Sequence, residues 1–191
     1  MKITTWFTSD LHFKHANIIK YCNRPFNTVE EMDLELINNW NSVVKPDDHV
    51  YQLGDFCFGK IDQIINISRR LNGVQHWIIG NHDKEIENNI QLCLDKIPKL
   101  DSIDYYKQIN LNGQKIILCH TAFAVWVGSH KGYYNLYGHS HSTFEPHKRG
   151  KQMDVGVDNA FKILGQYRPF SFDEIRRILD KIEINKTDSH E

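Results

Sequence analysis

The sequence predicts an α/β protein whose first half carries a mainly parallel sheet. Short apolar runs alternate with amphipathic stretches through the first 90 residues, and each apolar run halts at a Gly, Asn, Asp or Ser. Strands alternating with helices build parallel sheets through crossover connections. The second half reads differently, as a hairpin, two more strands and a closing helix.

Ile3 to Thr8 is a β-branched and aromatic run that ends at Ser9-Asp10, the pattern of a buried strand. His15 and Asn17 open a helix after the first loop. Thr28 to Val43 is the next helix: Thr28 caps it, Glu30 and Glu31 suit its first turn, and Met32, Leu36, Ile37 and Trp40 share one face. His49 to Leu53 is a second strand ending at Gly54-Asp55. Ile61 to Leu71 is an amphipathic helix, and Val74 to Ile79 a third strand ending at Gly80-Asn81-His82-Asp83. Asn112-Gly113 joins Tyr105–Leu111 to Lys115–Cys119 as a hairpin. Tyr133 to Tyr137 and Gln152 to Val157 are further strands. A last helix begins at Ser171, with Glu174 in the capping-box position, and runs to about Lys181.

The 191 residues suit one domain over 1–184, with a polar tail at 185–191 that frays. Hydrophobic residues make up 40% and charged residues 25%, a globular balance. A net charge of −1 gives little support to a protein that grips long nucleic acid through a basic groove. Four widely spaced cysteines with no C-x-x-C pair read as reduced thiols. With no signal-peptide pattern and no membrane-length apolar run, the expectation is a soluble cytoplasmic protein. The unusual number is 11 histidines, against about 4 or 5 in ordinary composition.

Those histidines gather where chemistry is expected. In open α/β sheets ligands sit beyond the carboxyl ends of the strands. The residues found there are Asp10 and His12, Asp55, Asn81 and His82, His120, and His139 and His141. Their oxygen and nitrogen donors, without thiolate, suit Mn²⁺, Fe²⁺ or Zn²⁺. Asp10 and His12, like His139 and His141, are two residues apart and face one side if the strand continues. Seven ligands are too many for one tetrahedral ion and suit two ions sharing a carboxylate. Gly54, Gly80 and Gly138 each precede a ligand and allow close backbone approach. Ligation needs neutral imidazole, so metal affinity is expected to fall as pH drops through about 6.5.

Asp10-Leu11-His12, Gly54-Asp55, Gly80-Asn81-His82-Asp83, His120 and Gly138-His139-Ser140-His141 occur in the order and form of the calcineurin-like metallophosphoesterases. From Ile3 to about Leu179 the chain resembles that family. The stretch from Asp10 to Ile18 followed by Arg24-Pro25-Phe26 is similar to its small bacterial and phage-type phosphoesterases. The resemblance implies a four-layer αββα sandwich of two mixed sheets flanked by helices. It implies that Asp10, His12, Asp55 and His141 hold one divalent cation, and that a bridging Asp55 with Asn81, His120 and His139 holds a second. Mn²⁺ is the foremost candidate, with Fe²⁺, Zn²⁺ or Ni²⁺ as alternatives. A hydroxide between the metals would attack phosphorus in line, with Asp55 and His82 as catalytic residues and His82 at the leaving group. The implied activity is phosphodiester hydrolysis, with nucleotides and cyclic nucleotides among the candidate substrates. Alternatives are a monoesterase, a nuclease, or an idle scaffold that binds a protein partner.

One departure from the family bears on its branch. Phosphoprotein phosphatases carry an Asp and an Arg three and four residues beyond the metal-binding Asp, where this chain has Phe58 and Gly59. That counts against a phosphoprotein phosphatase and leaves Asp83 as the nearest carboxylate to orient His82. Four residues are candidate substrate contacts, each with a plainer alternative. His15 and Asn17 reach substrate or only begin a helix; Arg24 clamps a phosphate or forms a surface pair; His130 joins Trp126, Tyr133 and Tyr134 as a stacking wall or as core. Lys148 to Lys151 reads as a solvated turn. His49, His76, His147 and His190 have no motif context and read as surface residues.

Overall fold

The computed structural model describes residues 3–144 and 150–184. The polar tail, His147, His190 and the start of the basic turn lie outside the described residues.

The first sheet holds β1 (Thr5–Thr8), β2 (His49–Leu53), β3 (Val74–Ile78), β4 (Leu100–Asp104) and β9 (Phe170–Ser171), in the order β4-β3-β2-β1-β9. β1 to β4 are parallel and β9 is antiparallel. Five helices follow the chain between these strands: α1 (Ala16–Tyr21) and α2 (Val29–Val43) after β1, α3 (Ile61–Ser68) after β2, and the short pair α4 (Lys84–Glu87) and α5 (Ile90–Lys96) after β3. The second sheet runs β5 (Tyr106–Leu111), β6 (Gln114–Cys119), β7 (Tyr134–Tyr137), β8 (Gln152–Asp154). Its first pair is an antiparallel hairpin and the others are parallel. The chain closes with α6 (Val157–Leu164) and α7 (Phe172–Leu179). This is an αββα sandwich of two mixed sheets flanked by helices.

Strand alternation divides the apolar residues between two cores. Phe7, Tyr51, Leu53 and Ile78 face Ile116, Leu118, Leu136 and Met153 of the second sheet. Val50 and Trp77 turn the other way, toward Met32, Leu36 and Trp40 of α2 and Ile64 of α3. The Thr28 hydroxyl accepts from Glu31 N at 3.1 Å, and Ser171 with Glu174 forms a reciprocal capping box on α7. Asn112 and Gly113 both take positive φ, as a two-residue hairpin turn needs.

The structure departs from the sequence reading in several elements. The run from Gln152 leaves the sheet at Asp154, whose carboxylate accepts Gly156 N at 2.7 Å, and Val157 begins α6 instead of ending a strand. α4, α5 and β4 carried no clear pattern, since each is short and only partly buried. His76 is buried, not at the surface: it stacks on Tyr51 at 4.5 Å and bonds His49 at 2.9 Å.

Trp40 is fully buried and its indole donates to the Asn72 carbonyl at 2.9 Å. Trp40→Ala should destabilise the protein by about 3–5 kcal/mol, read from the denaturation midpoint.

Candidate metal centre

The segments leaving β1 and β2 run side by side. Asp10 N donates to the Gly54 carbonyl, His12 N to that of Asp55 and Phe13 N to that of Phe56, each at 3.0 Å. Buried carboxylates clamp the loops that follow. Asp83 accepts from Gly80 N at 2.8 Å, Asp55 N at 2.7 Å and Phe56 N at 2.8 Å. Asp10 accepts from His139 N at 2.9 Å, and Asp154 from Ser142 N at the same distance. The approach is close enough that a Cβ on Gly138 would lie 1.9 Å from Ser9 Oγ, and one on Gly80 would lie 2.3 Å from Asp55 Oδ1. Asp83 therefore does not orient His82; its oxygens hold three backbone donors.

Donor atoms gather in two adjoining clusters, Asp10 with His12 and His141, and Asp55 with His120 and His139, while a third group, Cys22 with Asp158, shares His141 with the first. Asp55 Oδ2 lies 3.6 Å from His12 Nε2 and 3.5 Å from His120 Nε2, between the two. Asn81 Oδ1 joins the second cluster, 2.9 Å from His120 Nε2 and 2.8 Å from His139 Nδ1. His139 and His141 thus belong to different clusters. The strand does not continue through them. Asp10, His12, Asp55, His139 and His141 all have left-handed φ, between 45° and 67°, a conformation uncommon for residues other than glycine and frequent at functional sites.

Two imidazoles are oriented by bonds on their far side. His120 Nδ1 lies 2.7 Å from the Leu53 carbonyl, and His141 Nδ1 lies 2.7 Å from Asp158 Oδ2. Each bond fixes which nitrogen turns inward. Burial presses His12 down to about 2, so its imidazole is neutral. Burial also opposes charge on His120, but its bond to Asp55 outweighs this and lifts it to about 9. His141 rises to about 10 against the same penalty, through Asp158. Asp10 is pushed up to about 7 by burial and by the Asp154 charge. Both His12 ring nitrogens are buried without a hydrogen-bond partner. Unpaired buried donors beside carboxylates and further imidazoles fit divalent cations.

A cleft of about 580 Å³ opens over the clusters, lined on its polar side by His12, His82, His139 and His141. His82 is anchored through its backbone N–H to Asp55 Oδ1 at 2.9 Å. His15 lines the same cleft. Asn17 is exposed on α1 outside this lining, and His130 lies in the short helical turn Ser129–Lys131, also outside it. Arg24 is neither a surface pair nor a cleft residue. Its buried guanidinium binds Asp158 through two nitrogens, at 2.8 and 2.9 Å, and the carbonyls of Asp10 and Leu11 at 2.7 and 3.0 Å. Sequence reasoning missed Asp158, which has no motif of its own, and Cys22, whose sulfur is 3.3 Å from His141 Nδ1.

Two mixed sheets face to face, flanked by helices, thus carry acidic and imidazole donors at their strand ends, the αββα arrangement that the sequence resemblance implies. No protein-family model matches the chain. It is 34% identical over 191 residues to the uncharacterized protein MJ1445 of Methanocaldococcus jannaschii, covering 95% of this chain and 94% of that one, and it belongs to the same family. It is 28% identical over 203 residues to the gene 66 protein of Mycobacterium phage D29, covering 93% and 96%. The solved structure of AQ665 from Aquifex aeolicus, a protein of unknown function, aligns with a TM-score of 0.72 at 25% identity, covering 93% of this chain and all of that one.

The raised pKa values of His120 and His141 move the expected pH dependence upward. Below about 9 both imidazoles hold protons that a cation must displace. Divalent-metal affinity should therefore rise with pH between 6.5 and 8.5, by about tenfold per unit for each proton released. Calorimetry in buffers of different ionisation enthalpy measures both quantities; affinity flat over that range would contradict the assignment.

Proposed function

We propose that this chain is a metal-dependent phosphodiesterase. The observation that carries the reading is Asp55 Oδ2, placed between His12 and His120 where the two donor clusters meet. In this reading Asp10, His12, Asp55 and His141 hold one cation, and Asp55, Asn81, His120 and His139 hold the other. All seven donors are oxygen or nitrogen, which favours Mn²⁺ over thiophilic metals. Bound cations would supply Lewis acidity, neutralising charge on phosphoryl oxygens and lowering the pKa of water.

The remaining steps belong to the chain. The clamped loops hold the donors in fixed positions before substrate arrives, so little reorganisation accompanies reaction. His82 lies on the cleft wall with its backbone tied to Asp55, and acts on the leaving-group oxygen as general acid or by hydrogen bonding. Among the described residues the cleft lining contains no Lys or Arg. A monoanionic diester needs less positive charge than a dianionic monoester, which supports the diesterase reading. The cysteines of the described residues are free thiols, in keeping with a reducing compartment such as the cytoplasm.

Purified protein supplied with Mn²⁺ should hydrolyse bis-p-nitrophenyl phosphate, and chelation should abolish the activity until Mn²⁺ is restored. His82→Ala should lower kcat by about 10²–10⁴-fold while retaining bound metal. Asp55→Ala should lose both activity and about two cations per chain, measured by elemental analysis. Turnover unaffected by either substitution would overturn the proposal.

A further inference from the structure

Phe58 stands where the sequence departs from the phosphoprotein phosphatases, and 44% of its surface is exposed. Its ring lies nearly flat on His15, with centroids 3.9 Å apart and planes 22° apart. The same ring is 5.0 Å from His82 and 5.7 Å from His12. Tyr21, 72% exposed, meets His15 edge-on at 6.1 Å. Tyr21, Ile18 and Phe144 also line the cleft and give it apolar surface beside its imidazoles. A single exposed aromatic is ordinary. Here two exposed rings flank an imidazole of the cleft lining, and one of them is in ring contact with the residue assigned to the leaving group.

We propose that Phe58, backed by His15 and flanked by Tyr21, is a stacking platform that selects phosphoesters carrying a planar aromatic substituent, a nucleobase or an aryl ring, on the His82 side. The proposal rests on the phosphoesterase reading of the metal centre. Phe58 borders the cleft without lining it, in ring contact with three of its lining residues, His12, His15 and His82, so an ester substituent that reaches past His82 from the donor clusters would approach its ring. The cleft volume of about 580 Å³ falls within the range for small-molecule sites. Among the described residues its lining offers no Lys, Arg, Asp or Glu to recognise a substituent by charge, so the π-faces are the recognition element. Stacking of a base on an aromatic side chain corresponds to about 5- to 150-fold in affinity. It is also tolerant of base identity, so the platform distinguishes aromatic from aliphatic esters and not one base from another.

Calorimetric titration of the Mn²⁺-loaded protein with the monoanionic monomethyl esters of phenylphosphonate, cyclohexylphosphonate and methylphosphonate, named below by the parent acid, tests this. All three offer the same anion, and the first two differ mainly in planarity. Phenylphosphonate should bind about tenfold more tightly than methylphosphonate and several-fold more tightly than the cyclohexyl compound. Phe58→Ala should reduce the phenyl preference to within about twofold, Phe58→Leu should do the same while keeping apolar bulk, and Phe58→Tyr should retain the preference. Equal affinity for the phenyl and cyclohexyl compounds, or a preference that survives both Phe58→Ala and Phe58→Leu, would overturn the platform and leave the metal centre standing. Binding of none of the three would overturn the phosphoesterase reading and the platform with it.

Discussion

Asp10 and Asp55 are buried at the ends of adjacent parallel strands, 0% and 2% exposed. Taking a carboxylate out of water costs several kcal/mol unless charge and hydrogen bonds compensate. The surroundings are organised around that cost. Asp55 receives His82 N–H and faces the imidazoles of His12 and His120, and these interactions hold its pKa down at about 2 against the burial penalty. Asp10, with Asp154 nearby and fewer compensating partners, is held well above the ordinary carboxylate value. A pair of divalent cations would resolve both, which is why the same residues that strain the fold are the ones suited to chemistry.

The scaffold supports this by tying loops to carboxylates. Asp83, Asp10 and Asp154 each accept backbone N–H groups from segments that would otherwise be free to leave the sheet. Arg24 extends the same logic across the molecule: one guanidinium holds the carbonyls after β1 and, through Asp158, the orientation of His141. Buried and bonded through Nε and both terminal nitrogens, it ties these segments together. The left-handed backbone at five donor positions persists because these bonds over-determine it.

Much of the outline was legible in local pattern. Thr28 and Ser171 announced their helices because a cap is a local interaction, and His49–Leu53 was readable because it is apolar and bounded by turns. The seven donors could be collected because each follows an apolar run, and runs of that kind end at the edge of a sheet. The helices between Lys84 and Lys96 were not legible, being too short to establish a period, and α6 was masked by the β-branched residues at its start.

What the sequence alone determined was the set of chemical groups and their order along the chain, since donor type and strand-end position are local properties. The resemblance supplies an expected division of those donors, but the contacts that bring them together belong to the tertiary structure. His139 and His141 are two residues apart yet serve different clusters, because the backbone turns left-handed at both. Arg24 could be read as a phosphate clamp or as a surface pair until Asp158, 134 residues away, was brought against it. Phe58 was legible only as a missing carboxylate, and packing against His15, a residue of the cleft lining, gave it a place. Long-range contacts of this kind leave no periodic trace, because neither partner's local sequence encodes the other.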